Sequence, residues 1–175
     1  HVWAKQSYGG GGAQILVHDF DGDGDNDIVT SFNAHGYGLA WFEQKKSGDF
    51  FRHDLMGSQS TQSPYGMAFS QLHALELCDV DGDGRQDFVT GKRYLAHQGK
   101  DVGGLQAPVL YWFRNTGAKG GGVEFVPHLI HEDSGVGVEV KVADLNADGK
   151  VDVITSNKMG LKIHLQKSDS KHVAV

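Results

Sequence analysis

The sequence contains one cysteine, Cys78, and three prolines. A single thiol excludes a disulfide framework, and a free cysteine in an apolar segment usually acts as a small hydrophobic residue. No apolar run approaches the length of about 20 residues that a membrane-spanning helix needs. Basic residues are fewer than acidic ones, 16 against 22, so the basic stripe of a nucleic-acid-binding protein is missing. We therefore expect no membrane span and no nucleic acid partner.

Glycine and aspartate are the abundant residues. The chain has 25 glycines in 175 residues, which is typical of a turn-rich all-β protein. Its formal net charge is −6, and 12 of the 22 acidic residues fall in three short segments. The length is that of one domain, so we predict a single domain over residues 1–175.

The three acidic segments share the pattern D-x-[DN]-x-D-G-x-x-D and start 60 and 65 residues apart. Carboxylates crowded into nine residues repel one another, and Ca²⁺ relieves this because it takes six to eight oxygen ligands. Positions 1, 3, 5 and 9 offer side-chain oxygens, position 7 offers its carbonyl, and glycine at position 6 permits the sharp turn. We predict about three calcium sites, formed by Asp19, Asp21, Asp23, Asp25 and Asp27; by Asp79, Asp81, Asp83, Arg85 and Asp87; and by Asp144, Asn146, Asp148, Lys150 and Asp152.

These loops are not EF-hands. An EF-hand requires glutamate at position 12, where this chain has Thr30, Thr90 and Thr155. The flanking segments alternate like strands, as in Ile15-Leu16-Val17 before the first loop and Ile28-Val29-Thr30 after it. The loops therefore join strands rather than helices, with strand one predicted over 13–18, 73–78 and 138–143 and strand two over 28–31, 88–91 and 153–156.

Calcium loops between strands at this spacing resemble the FG-GAP or VCBS repeats of integrin-like β-propellers. The resemblance implies an all-β fold of four-stranded antiparallel blades, at about 13–57, 73–131 and 138–175. The third blade lacks an evident fourth strand, which either 171–175 or the N-terminal residues 1–4 would supply. Propellers typically have four to eight blades. Three blades therefore indicate a portion of a larger propeller, a ring completed by oligomerisation, or a closed three-blade ring.

The face opposite the calcium loops collects a different set of side chains. It includes five candidate ligand-binding or catalytic residues: His35, His73, Lys92, Arg93 and His97. Lys92 and Arg93 are equally explained as solvated loop charges, and His73 as a satisfied core histidine. A zinc site assembled from His35, His73 and His97 is a further possibility.

Two functions remain open. The first is an extracellular or periplasmic, calcium-stabilised module that binds a carbohydrate or protein on that face, since weak loop sites fill only near millimolar calcium. The second is a lyase or dehydratase acting on an oxidised sugar, because the repeats also look similar to the propeller domain of aldos-2-ulose dehydratase. The sequence shows no recognisable nucleophile–base pair outside the loops, which favours binding. By charge, the first loop should bind calcium most tightly and the third, with Asn146, most weakly.

Overall fold

The computed structural model describes residues 5–8, 10–117 and 122–167. These residues form antiparallel sheets and two short 3₁₀ segments, Ser60–Gln62 and Ala96–Gly99, which confirms the all-β prediction. No helix among them is long and apolar enough to cross a membrane.

Each sheet follows the chain order. In the described ranges the first sheet contains β1 (Ile15–His18), β2 (Asp27–Ser31), β3 (Leu39–Gln44) and β4 (Phe50–Met56), in that spatial order. The second contains β5 (Leu75–Cys78), β6 (Asp87–Gly91), β7 (Leu110–Asn115) and β8 (Phe125–His131). The third contains β9 (Val140–Ala143), β10 (Asp152–Asn157) and β11 (Gly160–His164).

The four-stranded unit is confirmed in the first two sheets, and each acidic segment joins the first two strands of its sheet. The first strand of each sheet begins two residues later than predicted, and the second strand begins one residue earlier, at position 9 of the loop. Both candidates for the missing strand of the third sheet, 1–4 and 171–175, lie outside the described residues. The described sheets do not close into a barrel.

The second sheet lies between the other two and contributes to two apolar clusters. Toward the first sheet, Phe88, Phe113 and Phe125 pack with residues such as Trp41 and Phe20. Toward the third sheet, its alternate residues pack with Val140 and Val153. This is the period of two expected when a sheet buries both faces. Each such side chain contributes about 1.5–3 kcal/mol of burial free energy.

A tryptophan and a histidine pair across the outer two strands of each complete sheet. The rings of Trp41 and His53 stack at 4.4 Å, and those of Trp112 and His128 at 4.6 Å. The pairs occupy equivalent registers between β3 and β4 and between β7 and β8. We assign these two histidines to sheet packing rather than to a ligand site.

Candidate functional site

The topology places two groups of loops at opposite ends of the strands. We call these two surfaces the acidic edge and the histidine edge. The acidic edge contains the three loops 19–27, 79–87 and 144–152. The histidine edge contains the β2–β3 and β6–β7 connections, 32–38 and 92–109, together with the connection 57–74 between the first two sheets. An antiparallel meander places alternate connections at opposite ends of the strands, so the two groups are held apart by the strand length.

On the acidic edge, the first aspartate of each loop holds the turn. Asp19 accepts backbone hydrogen bonds from Gly22 and Asp23 on Oδ1, at 2.8 and 3.1 Å, and from Gly24 on Oδ2, at 3.0 Å. Asp79 makes the same three bonds in the second loop. The side chains at positions 3 and 5 each accept the N–H two residues further on, so the loop wraps around its own oxygens.

The aspartate at position 9 ties the loop to the third strand of its sheet or, in the third sheet, to a residue just after that strand. Asp87 is fully buried; its Oδ2 accepts the Val80 N–H at 3.0 Å and its Oδ1 accepts the Asn115 N–H at 2.7 Å. Burial raises the pKa of Asp87 to about 6. The other two position-9 residues are also fully buried and accept equivalent hydrogen bonds. Asp27 accepts the N–H groups of Phe20 and Gln44, and Asp152 accepts those of Leu145 and Gln166.

The first and second loops each gather three carboxylates whose oxygens lie within 4.8 Å of one another: Asp19, Asp21 and Asp23 in one, and Asp79, Asp81 and Asp87 in the other. The second loop differs because two guanidinium groups reach it. Arg114 Nε lies 2.5 Å from Asp81 Oδ2, and Arg114 Nη2 lies 3.2 Å from Asp83 Oδ2. Arg85 contacts Asp83 as well and donates from Nε to the Asn115 carbonyl at 2.8 Å.

The third loop departs from the others in backbone as well as charge. Position 4 is glycine in the first two loops, with φ of +77° and +74°, but it is Ala147 in the third, with φ of +59°. A side chain in this left-handed region costs about 1–2 kcal/mol. At position 3, Asn146 donates from Nδ2 to Asp148 Oδ2 at 3.1 Å, where the other loops have a carboxylate.

The donor set of these loops fits calcium. The side chains are carboxylates and one amide, which are the hard oxygen ligands that Ca²⁺ takes, and the gathered oxygens of the first two loops lie close enough to share an ion. The residues that would hold it are those at positions 1, 3 and 5 in the first loop and those at positions 1, 3 and 9 in the second. The two arginines at the second loop oppose the ion, because their positive charges compete for the same carboxylates.

At the histidine edge, two imidazoles meet one carboxylate. His35 Nδ1 lies 3.0 Å from Asp101 Oδ2, and His97 Nδ1 lies 2.9 Å from the same oxygen. The two rings stack with centroids 4.6 Å apart. The imidazoles are exposed, at 45% and 59% of the side chain, whereas Asp101 is 18% exposed. Hydrogen bonding from His35 lowers the pKa of Asp101 below its usual range.

A chain of buried polar groups supports Asp101 from beneath. Gln71 donates from Nε2 to Asp101 Oδ2 at 3.0 Å, and Lys92 donates from Nζ to Gln71 Oε1 at 2.6 Å. Gln71 and Lys92 are fully buried. Burial lowers the pKa of Lys92 to about 8, an effect that Asp101 partly opposes. The interpretation of Lys92 as a solvated loop charge is therefore wrong.

His73 and Arg93 form the adjacent part of the cluster. The His73 ring meets the edge of His35 with centroids 4.9 Å apart, and Arg93 Nη1 lies 3.5 Å from the nitrogens of the His73 ring. Burial, together with the Arg93 charge, lowers the pKa of His73 to about 4. His73 is therefore neutral at pH 7, and the Arg93 guanidinium lies equally close to both of its ring nitrogens.

The segment that carries His97 is strained. Leu95, His97 and Gln98 have φ of +46°, +47° and +59°, although none is glycine. Each such residue costs about 1–3 kcal/mol, and such strain clusters at functional sites. Gln71 also has a positive φ, of +62°, and its backbone joins the two sheets through bonds from its N–H to the Gly36 carbonyl and from the Arg93 N–H to its own carbonyl.

A surface cavity of about 450 Å³ opens beside this cluster. It is lined by Asp101, Gln106 and Leu105 together with Gly99, Gly103 and Gly104. Its size lies within the range of small-molecule sites, and its lining combines glycine backbone and Leu105 with the polar groups of Asp101 and Gln106.

All five candidates from the sequence, His35, His73, Lys92, Arg93 and His97, lie at this edge, in one connected network. Sequence reasoning missed Asp101, which joins them, and Arg114 at the second acidic loop. It placed Gln71 on this face but did not include it among the five candidates. Asp101 follows His97 by four residues within a long loop, which is the one local signal that pointed to it.

Stacked antiparallel sheets whose first hairpins are acidic, oxygen-lined loops define a class of β-repeat proteins with cation-binding turns. The family model of the FG-GAP-like repeat matches residues 19–90 and again 79–155. The chain therefore belongs to the FG-GAP-like repeat family. No curated protein matches the sequence.

Proposed function

We propose that the chain is a calcium-stabilised, extracellular binding domain of β-propeller type that takes a carbohydrate at the histidine edge. The observation that carries this proposal is the convergence of three histidines, Arg93 and Asp101, from separate connections, beside a cavity of about 450 Å³. Asp101 lines this cavity and also contacts the two exposed imidazoles. Such a surface suits a ligand with many hydroxyl groups, because rings pack on sugar C–H faces while charged groups accept and donate hydrogen bonds.

Calcium has a structural role in this proposal. FG-GAP-like repeats often bind Ca²⁺, and the first two loops gather the oxygens such an ion needs. With millimolar calcium and dissociation constants of about 10⁻⁴ M, each site would add roughly 1 kcal/mol to the free energy of unfolding. Such weak sites fill outside cells, where repeats of this family are typical, which supports an extracellular location.

The propeller assignment rests on the repeat and on the two outer sheets. Ile15 and Val17 are 63% and 57% exposed on the first sheet, and Leu161 and Ile163 are 67% and 53% exposed on the third. Further blades of a longer chain, or a second copy of this one, would cover these residues. The mass in solution, measured by light scattering, separates a homo-oligomer from a monomer.

The binding proposal is tested with a glycan array and a keto-sugar elimination assay run side by side. We expect the wild-type protein to retain a glycan and Arg93→Ala to lose it. The control is Lys46→Ala, which removes an exposed lysine from the turn between β3 and β4, at the opposite end of the strands, and should bind as wild type does. Turnover of the keto-sugar would favour the lyase alternative. Retention of a protein ligand but no glycan would contradict the carbohydrate assignment.

A further inference from the structure

We propose that His35, His97 and Asp101 form a site for a divalent transition metal, of which zinc is the natural occupant. The inference goes beyond the proposed carbohydrate binding and does not depend on it. It begins from three ligand atoms, one ring nitrogen each of His35 and His97 and a carboxylate oxygen of Asp101, which all lie within 4.8 Å of one another.

The distances already approach those of a metal centre. Zinc bonds of about 2.0 Å at tetrahedral angles place neighbouring ligand atoms about 3.3 Å apart. His35 Nδ1 and His97 Nδ1 lie 3.0 and 2.9 Å from Asp101 Oδ2, close to this spacing. One ring nitrogen of each histidine lies within 4.8 Å of the other, so the stacked rings must turn toward each other to bind one ion. Binding would move each Nδ1 proton to Nε2 or to solvent, which neutral imidazole permits.

The surroundings hold the carboxylate in place and leave the imidazoles accessible. Gln71 donates to Asp101 from within the protein, and buried Lys92 fixes Gln71. Outer partners of this kind orient metal ligands. The exposed side of the two rings leaves coordination positions for water or for an oxygen of a bound ligand, which is the open geometry of three-ligand zinc sites.

The ligand chemistry separates this site from the acidic edge. Imidazole nitrogen is a suitable ligand for zinc, copper, iron and nickel, whereas the all-oxygen loops suit calcium. His73 was the third histidine expected from the sequence, but its ring faces Arg93, and Asp101 takes the third ligand position instead. Saturating calcium should therefore leave the histidine site free for zinc.

The test is a titration of the full chain with zinc, and with cobalt(II) as a coloured substitute, in saturating calcium. We expect one equivalent to bind, His97→Ala and Asp101→Asn to weaken zinc binding at least about tenfold, and cobalt to give the visible bands of a site with nitrogen ligands. His128→Ala, which removes an exposed histidine of the sheet packing, should bind as wild type does.

Equal zinc affinity in wild type, His97→Ala and Asp101→Asn would overturn the assignment, whether zinc then sat in the acidic loops or did not bind at all. Far-ultraviolet circular dichroism of each variant verifies that the sheets persist. His97→Ala truncates an exposed ring, whereas Asp101→Asn keeps the shape of the carboxyl group, so a misfolding defect in one variant need not affect the other. Glycan binding measured in chelator distinguishes failure of this site from failure of the proposed function.

Discussion

The acidic edge and the histidine edge are built in opposite ways. Each acidic loop is made by residues within nine positions of one another, and the bonds from the position-5 and position-6 N–H groups to the first aspartate recur in all three copies. The histidine edge joins His35, Gln71 and Asp101 from three different connections, and no copy of it exists in the third sheet's described residues. Periodic local contacts serve stability in every sheet, whereas a single non-repeated cluster is where a specific ligand can be recognised.

The largest expected change in stability comes from the acidic edge, at Asp87, which is position 9 of the second loop. Asp87→Ala should lower the free energy of unfolding by about 3–5 kcal/mol, because it leaves the buried N–H groups of Val80 and Asn115 unpaired. Denaturant unfolding in chelator measures this without any contribution from calcium. Asp25→Ala, at position 7 of the first loop, is the control and should change little. A midpoint for Asp87→Ala equal to that of wild type would show that the loops do not depend on these bonds.

The second effect belongs to the histidine edge and depends on pH. The folded pKa of Lys92, about 8, lies below its unfolded value, so folding releases a proton between the two values and stability rises as pH increases through this window. At neutral pH, burial of the charged Lys92 ammonium therefore lowers the free energy of unfolding by about 3 kcal/mol. Lys92→Met should be at least as stable as wild type near pH 7 and should lack the wild-type rise toward pH 10.

Thermal unfolding across that pH range measures the difference. Lys46→Met, which removes an exposed lysine, should keep the wild-type slope. Parallel curves for Lys92→Met and wild type would mean that the buried ammonium carries no such cost, and a support role for Asp101 would lose its energetic argument.

The third expected effect is a difference in calcium affinity between the first acidic loop and the second. Arg114→Gln removes the guanidinium that contacts Asp81 and Asp83, so calcium should bind the second loop several-fold more tightly. Calcium titration by calorimetry resolves the change. Arg52→Gln makes the same change in net charge at a distance from the loops and should leave the affinities as they are; an equal gain there would assign the effect to net charge alone.

The smallest effect concerns the third loop. Ala147→Gly should raise the free energy of unfolding by about 0.5–1 kcal/mol, because glycine adopts φ of +59° without a steric penalty. Gly82→Ala is the matched reverse change, at the same position of the second loop, where an added Cβ meets open space. Opposite shifts in denaturant midpoint are expected, and shifts of the same sign would contradict the strain argument.

The sequence predicted the acidic edge well because its information is local. The spacing of Asp19, Asp21 and Asp23 places their oxygens together once the turn forms, and alternation of the flanks identifies the strands. The left-handed backbone at position 4 of each loop was not anticipated. The contacts of Arg114 were not anticipated either, because this residue lies about 30 residues from the loop it reaches. For the histidine edge, topology alone indicated which connections meet. It carried no signal that Lys92 is buried or that Asp101 is the shared partner, because those facts depend on how three loops pack.

The central claim is that the two edges work independently, calcium at one and a ligand at the other. Thermal unfolding of wild type, Asp19→Asn and His97→Ala, each with chelator and with millimolar calcium, tests it most directly. We predict that calcium raises the melting temperature of wild type and His97→Ala equally and that of Asp19→Asn by less. A melting temperature that calcium leaves unchanged in wild type, or that responds to His97→Ala rather than to Asp19→Asn, would contradict the account.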